Sequence, residues 1–309
     1  MLVATLLIGL GLGLLTVSAD RFVVSAVRLA EAWGVSKILI GALVVGMGTS
    51  APEFIVSVVS GGRSMDLAIG NIVGSNIANL SLVLGVGTLI AVVANPRRLL
   101  RREGFLMVGG LLMFTGALAD GGLTRLDGLV LAAGMVGAAY LLVRWSAASP
   151  NDLELDEFEG GPIRVGREIA IALLTLSAML LGANWLADGA LRMAAELGVS
   201  EGFIGLTVVA IGTSLPELAT VVASARRAEM ELVVGNLLGS NLFNSLAVAA
   251  GVALLRPGQT SSSFAVSLAV MVGIALLAGA LSLTRDRLDT REGVALLVVY
   301  GGYLAYSAL

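Results

Sequence analysis

Apolar residues run along this chain in long blocks, and the charged residues gather in the gaps between the blocks. A helix needs about 20 mostly apolar residues to cross a bilayer. Reading the blocks between charged or turn-rich breaks predicts ten membrane spans. Five lie at 2–28, 37–61, 67–94, 102–119 and 126–144, and five more lie at 165–191, 202–225, 232–255, 264–283 and 292–308.

The gap between the two sets of five spans is the most polar stretch of the chain. It predicts a solvated linker at 145–163, between a first unit at 1–144 and a second at 164–309. Five carboxylates lie in it, those of Asp152, Glu154, Asp156, Glu157 and Glu159. An alternative function for this cluster is a regulatory calcium site, although it lacks the alternating ligands and the mid-loop glycine of an EF-hand.

Lysine and arginine are distributed unevenly over the connections between spans. With the N-terminus outside, the connections on the inner side hold 14 of these residues and those on the outer side hold 4. Basic residues favour the cytoplasmic side of a membrane protein. The count therefore predicts that both termini lie outside and that the acidic linker lies in the cytoplasm.

Composition narrows the function classes. Hydrophobic residues make up 57% of the 309 positions, charged residues only 13%, and the mean hydropathy is +0.95. The absence of cysteine excludes disulfides and thiol chemistry, and the absence of histidine removes the commonest general base and zinc ligand. An enzyme therefore has little support, no cofactor is expected, and a net charge of −3 gives no sign of nucleic-acid binding.

The chain repeats itself. The stretch GVSKILIGALVVGMGTSAPE at 34–53 matches GVSEGFIGLTVVAIGTSLPE at 198–217 in twelve of twenty positions. Farther on, GNIVGSNIAN at 70–79 matches GNLLGSNLFN at 235–244 in six of ten positions. Each unit has five predicted spans, an odd number, so the second must be inverted relative to the first. Inverted repeats are a transporter architecture with the site at the midplane between the halves.

One glutamate lies deep in a span at the same place in each repeat. Glu53 is the only charged residue between Lys37 and Arg63, and Glu217 is the only one between Glu201 and Arg226. A carboxylate at the bilayer centre costs about 2.5–3.5 kcal/mol on insertion scales. Retaining two suggests a cation site, although two protonated glutamates hydrogen-bonded within the bundle are a purely structural alternative.

Other oxygen atoms accompany each glutamate. Thr49 and Thr213 lie four residues earlier, which puts hydroxyl and carboxylate on one helix face. Pro52 and Pro216 precede the glutamates, and a proline inside a helix frees a carbonyl four residues back. Carboxylate, hydroxyl and carbonyl oxygens are hard ligands that suit calcium and sodium.

The next spans add Ser75 and Asn79 in one repeat, and Ser240 and Asn244 in the other. These side chains can complete an oxygen shell. The glycines beside them form small-xxx-small patterns, so hydrogen bonding across a close helix contact is the alternative role.

These paired motifs, GTSAPE and GTSLPE, GSNIAN and GSNLFN, resemble the alpha repeats of the cation/calcium exchanger superfamily, in its short prokaryotic sodium/calcium exchanger branch. The resemblance covers nearly the whole chain. It implies an all-α protein of ten transmembrane helices in the cell (inner) membrane, alternating access by sliding of the first and sixth helices, and sodium and calcium as substrates. By matching position it implies the ligands Thr49, Ser50, Glu53, Ser75 and Asn79, then Thr213, Ser214, Glu217, Ser240 and Asn244, with the carbonyls of Gly46 and Ala210.

One position departs from part of the superfamily. Asn244 stands where several prokaryotic members and the potassium-dependent exchangers carry aspartate, which favours potassium-independent sodium/calcium exchange. Calcium/proton or other divalent exchange is the alternative transport function. A cation channel with a two-glutamate filter is the alternative from another class, but pore rings usually come from rotational symmetry along the pore. The lipid bilayer is the expected environment of the chain, and no obligate protein partner is evident.

Because the chain has no cysteine, the orientation can be tested without background labelling. A cysteine introduced in the linker by Asp156→Cys should react with a membrane-impermeant maleimide only from the cytoplasmic side of oriented vesicles. The unmodified chain is the control. Labelling from the outside alone would overturn the orientation derived from the basic residues.

Overall fold

The computed structural model describes residues 1–94, 102–147, 163–197, 210–260, 264–284 and 287–307, and this part of the chain is almost entirely helical. The first half contains α1 (Leu2–Trp33), α2 (Lys37–Ile40), α3 (Met47–Thr49), α4 (Ala51–Gly61), α5 (Met65–Ala78), α6 (Leu84–Ile90), α7 (Glu103–Ala117) and α8 (Arg125–Ala147). The second half contains α9 (Val165–Glu196), α10 (Ala210–Thr213), α11 (Leu215–Arg226), α12 (Met230–Phe243), α13 (Ala249–Leu255), α14 (Ala265–Thr284) and α15 (Thr290–Ser307). Within the described ranges, three π-helical segments interrupt these helices, at Gly41–Gly46, Asn79–Val83 and Asn244–Val248.

The prediction of an all-α membrane protein is confirmed. Six helices of the described chain are long and apolar enough to cross a bilayer, namely Leu2–Trp33, Met65–Ile90, Arg125–Ser146, Val165–Glu196, Met230–Leu255 and Ala265–Ser282. A seventh candidate is a pair, Lys37–Thr49 and Ala51–Gly61, bent by 43°. The predicted span 102–119 forms only the 15-residue α7, 292–308 corresponds to α15, and 202–225 is described only from Ala210. Asp156 and most of the predicted linker lie outside the described residues.

Two helices form the buried centre of the bundle. Met65–Ile90 and Met230–Leu255, each with its π-helical segment, are far more buried than the other long apolar helices. They pass through the main apolar core, which includes Ile69, Ile72, Leu242 and Leu246. A helix that is apolar all round is expected in such a position.

α1 and α9 pack against each other through glycine. A side chain at Gly11 would meet the backbone of Gly182 and Leu186 at 2.6–3.0 Å, and one at Gly189 would meet the backbone of Ala4 at 2.8 Å. The two backbones therefore touch, which is the small-residue packing typical of membrane helices.

α1 runs five residues beyond the predicted end of the first span at residue 28. Arg28 Nη1 lies 3.0 Å from Glu168 Oε1 on α9, and Ser25 Oγ donates to the other oxygen of that carboxylate at 3.1 Å. Both charges are thus paired inside the helix contact, and α1 continues until Gly34, whose φ of 60° ends it. The helix is therefore longer than the predicted membrane span.

Two short antiparallel ribbons join the halves. β1 (Val93–Ala94) pairs with β4 (Arg287–Leu288), and β2 (Gly122–Leu123) pairs with β3 (Gly258–Gln259). Each strand of the first half lies 165 residues before a strand of the second, as Asn79–Val83 does before Asn244–Val248. The repeat detected in the sequence thus has counterparts in local structure.

The contact between Arg28 and Glu168 generates a stability prediction. Arg28→Gln leaves the buried Glu168 carboxylate without its ion-pair contact at 3.0 Å. Arg28 is about one-fifth exposed, so the loss should fall between about 1 kcal/mol for a surface pair and about 3–5 kcal/mol for a fully buried one. Thermal unfolding in detergent measures it. The matched control is Asp20→Asn, which removes the more exposed Asp20–Arg227 pair and should cost less. An equal or larger loss for the control would contradict the prediction.

Candidate ion-binding site

Each glutamate motif is built at a break between two helices. Ser50 separates α3 from α4, and Ser214 separates α10 from α11. The sequence suggested that Pro52 and Pro216 lie inside a continuous helix. This prediction was wrong, because both prolines lie in the first turn of the new helices. A proline there removes no hydrogen bond, because the first N–H groups of a helix have no intrahelical partner.

Glu53 and Glu217 lie in the first turn of α4 and α11. Both are completely buried. The N-terminal end of a helix carries partial positive charge, which favours a carboxylate at this position. The two carboxylates come from different halves, yet they lie close enough to interact electrostatically. The two helix breaks therefore bring two negative groups together and place each one at the partially positive N-terminus of a helix.

Several oxygen atoms close to the two glutamates have no hydrogen-bond partner within the described chain. Ser50 Oγ donates to Glu217 Oε1 at 2.8 Å, across the boundary between the halves. Within the described chain, both oxygens of Glu53, Oε2 of Glu217 and Oγ of Ser214 are buried without a hydrogen-bond partner. Leaving a buried polar atom unpaired costs about 1–3 kcal/mol, and more for a charged group. Such a cluster of acceptors fits a cation as ligand.

The asparagines lie at the start of the two matching π-helical segments. Asn79 begins Asn79–Val83 and Asn244 begins Asn244–Val248, and both side chains are completely buried. The amide oxygen and nitrogen of both have no partner within the described chain. π-helical turns are rare and are frequent at functional sites. Here each one begins at a side chain that the sequence predicts as a ligand.

The carbonyl of Gly46 faces hydroxyl groups from both halves. It accepts from Thr49 Oγ1 at 3.2 Å and from Ser240 Oγ at 3.1 Å. Thr49 and Ser240 also lie 3.4 and 3.3 Å from Asn236 Oδ1. The structure thus places three predicted ligands in one hydrogen-bonded group.

The remaining predicted residues lie on the same elements. Ser75 is buried on α5, one turn before Asn79. Ala210 begins α10 and Thr213 ends it, next to Ser214.

Two asparagines of this region were missed by the sequence analysis. Asn236 donates to Thr220 Oγ1 at 2.8 Å while its oxygen faces Thr49 and Ser240. Asn71, its counterpart in the other repeat, donates to Ser57 Oγ at 2.9 Å and lies 3.4 Å from the carbonyl of Glu53. The repeated Gly-Asn pairs at 70–71 and 235–236 were the available signal. These asparagines tie α5 to α4 and α12 to α11.

The chemistry of the group is that of a hard-cation site with few charges. It contains two carboxylates, and no cluster of three or more acidic side chains suited to a metal occurs in the described ranges. Neutral hydroxyl, amide and carbonyl oxygens supply the rest. Calcium takes six to eight oxygen ligands, neutral ones among them.

Close backbone contact holds the two halves of this group together, and it generates a prediction. A side chain at Gly239 on α12 would overlap the carbonyl of Ala42 in the segment Gly41–Gly46. Gly239→Ala should push α12 away and separate Ser240 from Gly46. We expect a stability loss of about 1–3 kcal/mol or more and weakened calcium binding, measured by thermal unfolding with and without calcium.

Gly137→Ala on α8 is the matched control, because a Cβ there has nothing within 4 Å and the residue is exposed. Calcium-dependent stabilisation that is the same in both variants would contradict the role of the glycine contact.

Comparisons with known proteins show the family to which the chain belongs. The profile of the sodium/calcium exchanger protein family matches residues 3–144 and again residues 168–309. The chain is 37% identical to the putative antiporter CaxA of Alkalimonas amylolytica, with 98% of each chain covered. It is 35% identical to the inner membrane protein YrbG of Escherichia coli, with 100% of this chain and 97% of YrbG covered.

A solved structure is similar over the same length. The sodium-calcium exchanger NCX_Mj, soaked with Na⁺ and Sr²⁺, superposes with a TM-score of 0.85 at 29% identity, covering 98% of each chain. The family profile and these relatives span both halves of the chain. The chain therefore belongs to the sodium/calcium exchanger family, within the cation/calcium exchanger superfamily.

Proposed function

We propose that this protein is a secondary antiporter that exchanges sodium for calcium by alternating access. The observation that carries the proposal is the group of buried oxygen atoms without hydrogen-bond partners, contributed by Glu53, Ser214, Glu217, Asn79 and Asn244. They come from both halves and include oxygens of the two carboxylates. An ion that binds there neutralises the charges and completes the missing contacts.

The proposed ligands follow the sequence prediction. All of them are buried or lie at the helix breaks and π-helical segments. They are Thr49, Ser50, Glu53, Ser75 and Asn79 from the first half, Thr213, Ser214, Glu217, Ser240 and Asn244 from the second, and the carbonyls of Gly46 and Ala210. Asn71 and Asn236 act as positioning residues, since they hold the helices that carry these ligands.

The proposed architecture is ten spans arranged as two inverted repeats. The double match to one family profile and the constant offset of 165 residues between paired π-helical segments and strands support it. The excess of basic residues supports an orientation with both termini outside and the acidic linker in the cytoplasm. The similarity to an E. coli protein named for the inner membrane supports that location.

The unit that moves in this proposal consists of α1 and α9. They are the two longest helices of the described chain, and glycine contacts hold them to each other. A pair that is joined in this way can slide as one body past the buried centre and uncover the site on either side. The large apolar contact of α5 and α12 with the core keeps the ligands in place meanwhile.

Charge sets the coupling. Calcium and sodium need the same two carboxylates, so they cannot fully occupy the site together. Two sodium ions would balance one calcium ion and make the exchange electrically silent. The neutral oxygens of Thr49, Thr213, Ser75 and Ser240 give a further sodium ion ligands without another acid. We therefore infer an electrogenic cycle with more than two sodium ions per calcium ion and no requirement for potassium.

Calcium uptake into sodium-loaded proteoliposomes at fixed pH tests the exchange. Glu53→Gln and Glu217→Gln should each reduce sodium-driven uptake to the background of empty liposomes, because each leaves one carboxylate for a divalent ion. Removing one partner of a buried charge pair costs about 3–5 kcal/mol, roughly 100-fold or more in affinity. Asp120→Asn, an exposed carboxylate between α7 and β2, is the control and should transport normally.

The same vesicles test the coupling. With sodium inside, uptake of calcium moves net positive charge outward if more than two sodium ions leave per calcium ion. An inside-positive potential, clamped with valinomycin and potassium, should then accelerate uptake. Uptake indifferent to potential would favour the silent two-for-one cycle. Uptake driven equally well by a proton gradient without sodium would favour the calcium/proton alternative, and uptake that needs no ion inside would favour a channel.

A further inference from the structure

A cavity lies where the start of α7 meets the end of α14, and neither Glu53 nor Glu217 lines it. Its volume is about 280 Å³. The wall is completed by α6 and by the first half of α12, and its lining includes Leu84, Phe105, Val108, Leu237, Ala278 and Gly279. This volume is at the lower limit of typical small-molecule sites, about 300–1,000 Å³.

The lining is apolar throughout. Ser282 is the single polar side chain among the residues that line the cavity, and its hydroxyl donates to the carbonyl of Ala278 at 2.7 Å. A buried water needs two to four polar partners, and an ion needs more. The cavity therefore has nothing to offer water or a cation, and its ligand must be apolar.

The rim of the cavity opens on the outside of the bundle. Phe105 and Leu276 both line it, and they are 72% and 56% exposed. In a membrane protein such apolar surface at the level of the helices faces lipid chains. The cavity is therefore accessible from the bilayer without passage through the ion site.

Basic residues follow directly at one end of the lining. Arg102 stands two residues before Gly104, and Arg287 stands one residue before Leu288, both of which line the cavity. Both arginines lie where helices begin or end, and both are exposed. Arg287 is 3.5 Å from Asp289, and Arg102 is followed in the sequence by the partly buried Glu103, with which it interacts electrostatically. Arg102 itself is exposed and forms no ion pair in the described ranges. This end therefore lies at the membrane surface and favours a negative group.

The repeat offers a reason for the space. Gly110 on α7 corresponds to Ala275 on α14, which lines the cavity. A side chain at Gly110 would meet Leu242 at 2.8 Å and Leu246 at 3.4 Å, so leucines fill the volume there. Gly279, which lines the cavity, corresponds in the first half to Phe114, a large and completely buried side chain. The space is thus a difference between the halves and not a property of the repeat.

We propose that this cavity binds an acyl chain of a membrane phospholipid whose anionic headgroup lies at Arg102 and Arg287. The apolar lining accepts the chain, the exposed rim admits it from the bilayer, and the arginines select a negative headgroup. The lining contains none of the proposed ion ligands.

Two variants that fill the cavity test the proposal. Gly279→Leu is suitable because a Cβ there has nothing within 4 Å, and Ala278→Leu fills the space from the adjacent buried position. Gly273→Leu is the matched control on the same helix, because it is equally unobstructed but exposed and outside the lining. The purified full chains are incubated with phosphatidylglycerol or phosphatidylcholine and examined by native mass spectrometry.

The unmodified chain and Gly273→Leu should retain a bound phospholipid, with at least a fivefold preference for phosphatidylglycerol. Gly279→Leu and Ala278→Leu should lose most of it. Arg102→Gln should reduce the preference for phosphatidylglycerol and keep binding of phosphatidylcholine. Equal retention in all variants, or a dimer in place of a lipid adduct, would overturn the site. A headgroup preference unchanged by Arg102→Gln would overturn the assignment of the charge.

A measurement on the unmodified chain covers the case in which the filled variants do not fold. In vesicles with phosphatidylglycerol that carries a photoactivatable acyl chain, crosslinks should concentrate at 104–108 and 275–280. Crosslinks spread evenly over the lipid-facing helices would contradict the proposal.

Discussion

The cost of placing two carboxylates inside a bilayer determines the rest of this structure. A buried charge without water must be compensated by dipoles, by hydrogen bonds or by a counter-ion. Glu53 and Glu217 lie in the first turns of their helices, and three of their four carboxylate oxygens have no hydrogen-bond partner within the described chain. The helix breaks and the π-helical segments carry buried oxygen atoms that have no hydrogen-bond partner within the described chain. In the proposed function a cation supplies the missing compensation.

Close backbone contact makes such a collection possible. Gly239 and Gly235 let α12 touch the segment Gly41–Gly46, and this contact puts Ser240 beside the Gly46 carbonyl. Larger residues would separate the helices by the width of a side chain and the oxygens with them. In lipid, packing of small residues replaces the hydrophobic drive that holds soluble helices together. The glycines that appear in the sequence as a packing motif thus also determine the position of Ser240, one of the proposed ligands.

The helical membrane fold and the residues of the candidate site could be predicted from the sequence, because the repeat motifs carry chemistry and geometry together. A lone glutamate in an apolar block, matched in both halves, is costly enough to point to a site. Other features depend on partners far away in the chain. Arg28 is accommodated in the contact between two helices because Glu168 lies beside it, and the oxygen of Asn236 faces Thr49 and Ser240 from the other repeat and its own helix. The position of the prolines was misjudged because composition does not show whether a helix bends through a proline or begins at it.

The two ribbons between the halves have a consequence for how the protein is made. Ala94 pairs with Arg287, which leaves the ribosome 193 residues later. At about 5–20 residues per second, the first half waits in the membrane for roughly 10–40 s before its strand finds a partner. During that time β1 has no strand to pair with, and Glu53 and the glycine-containing helix surfaces of the first half have no packing partner from the second half. The first half must therefore be held by lipid or by the insertion machinery as an incomplete unit, and the native bundle closes only at the end of synthesis.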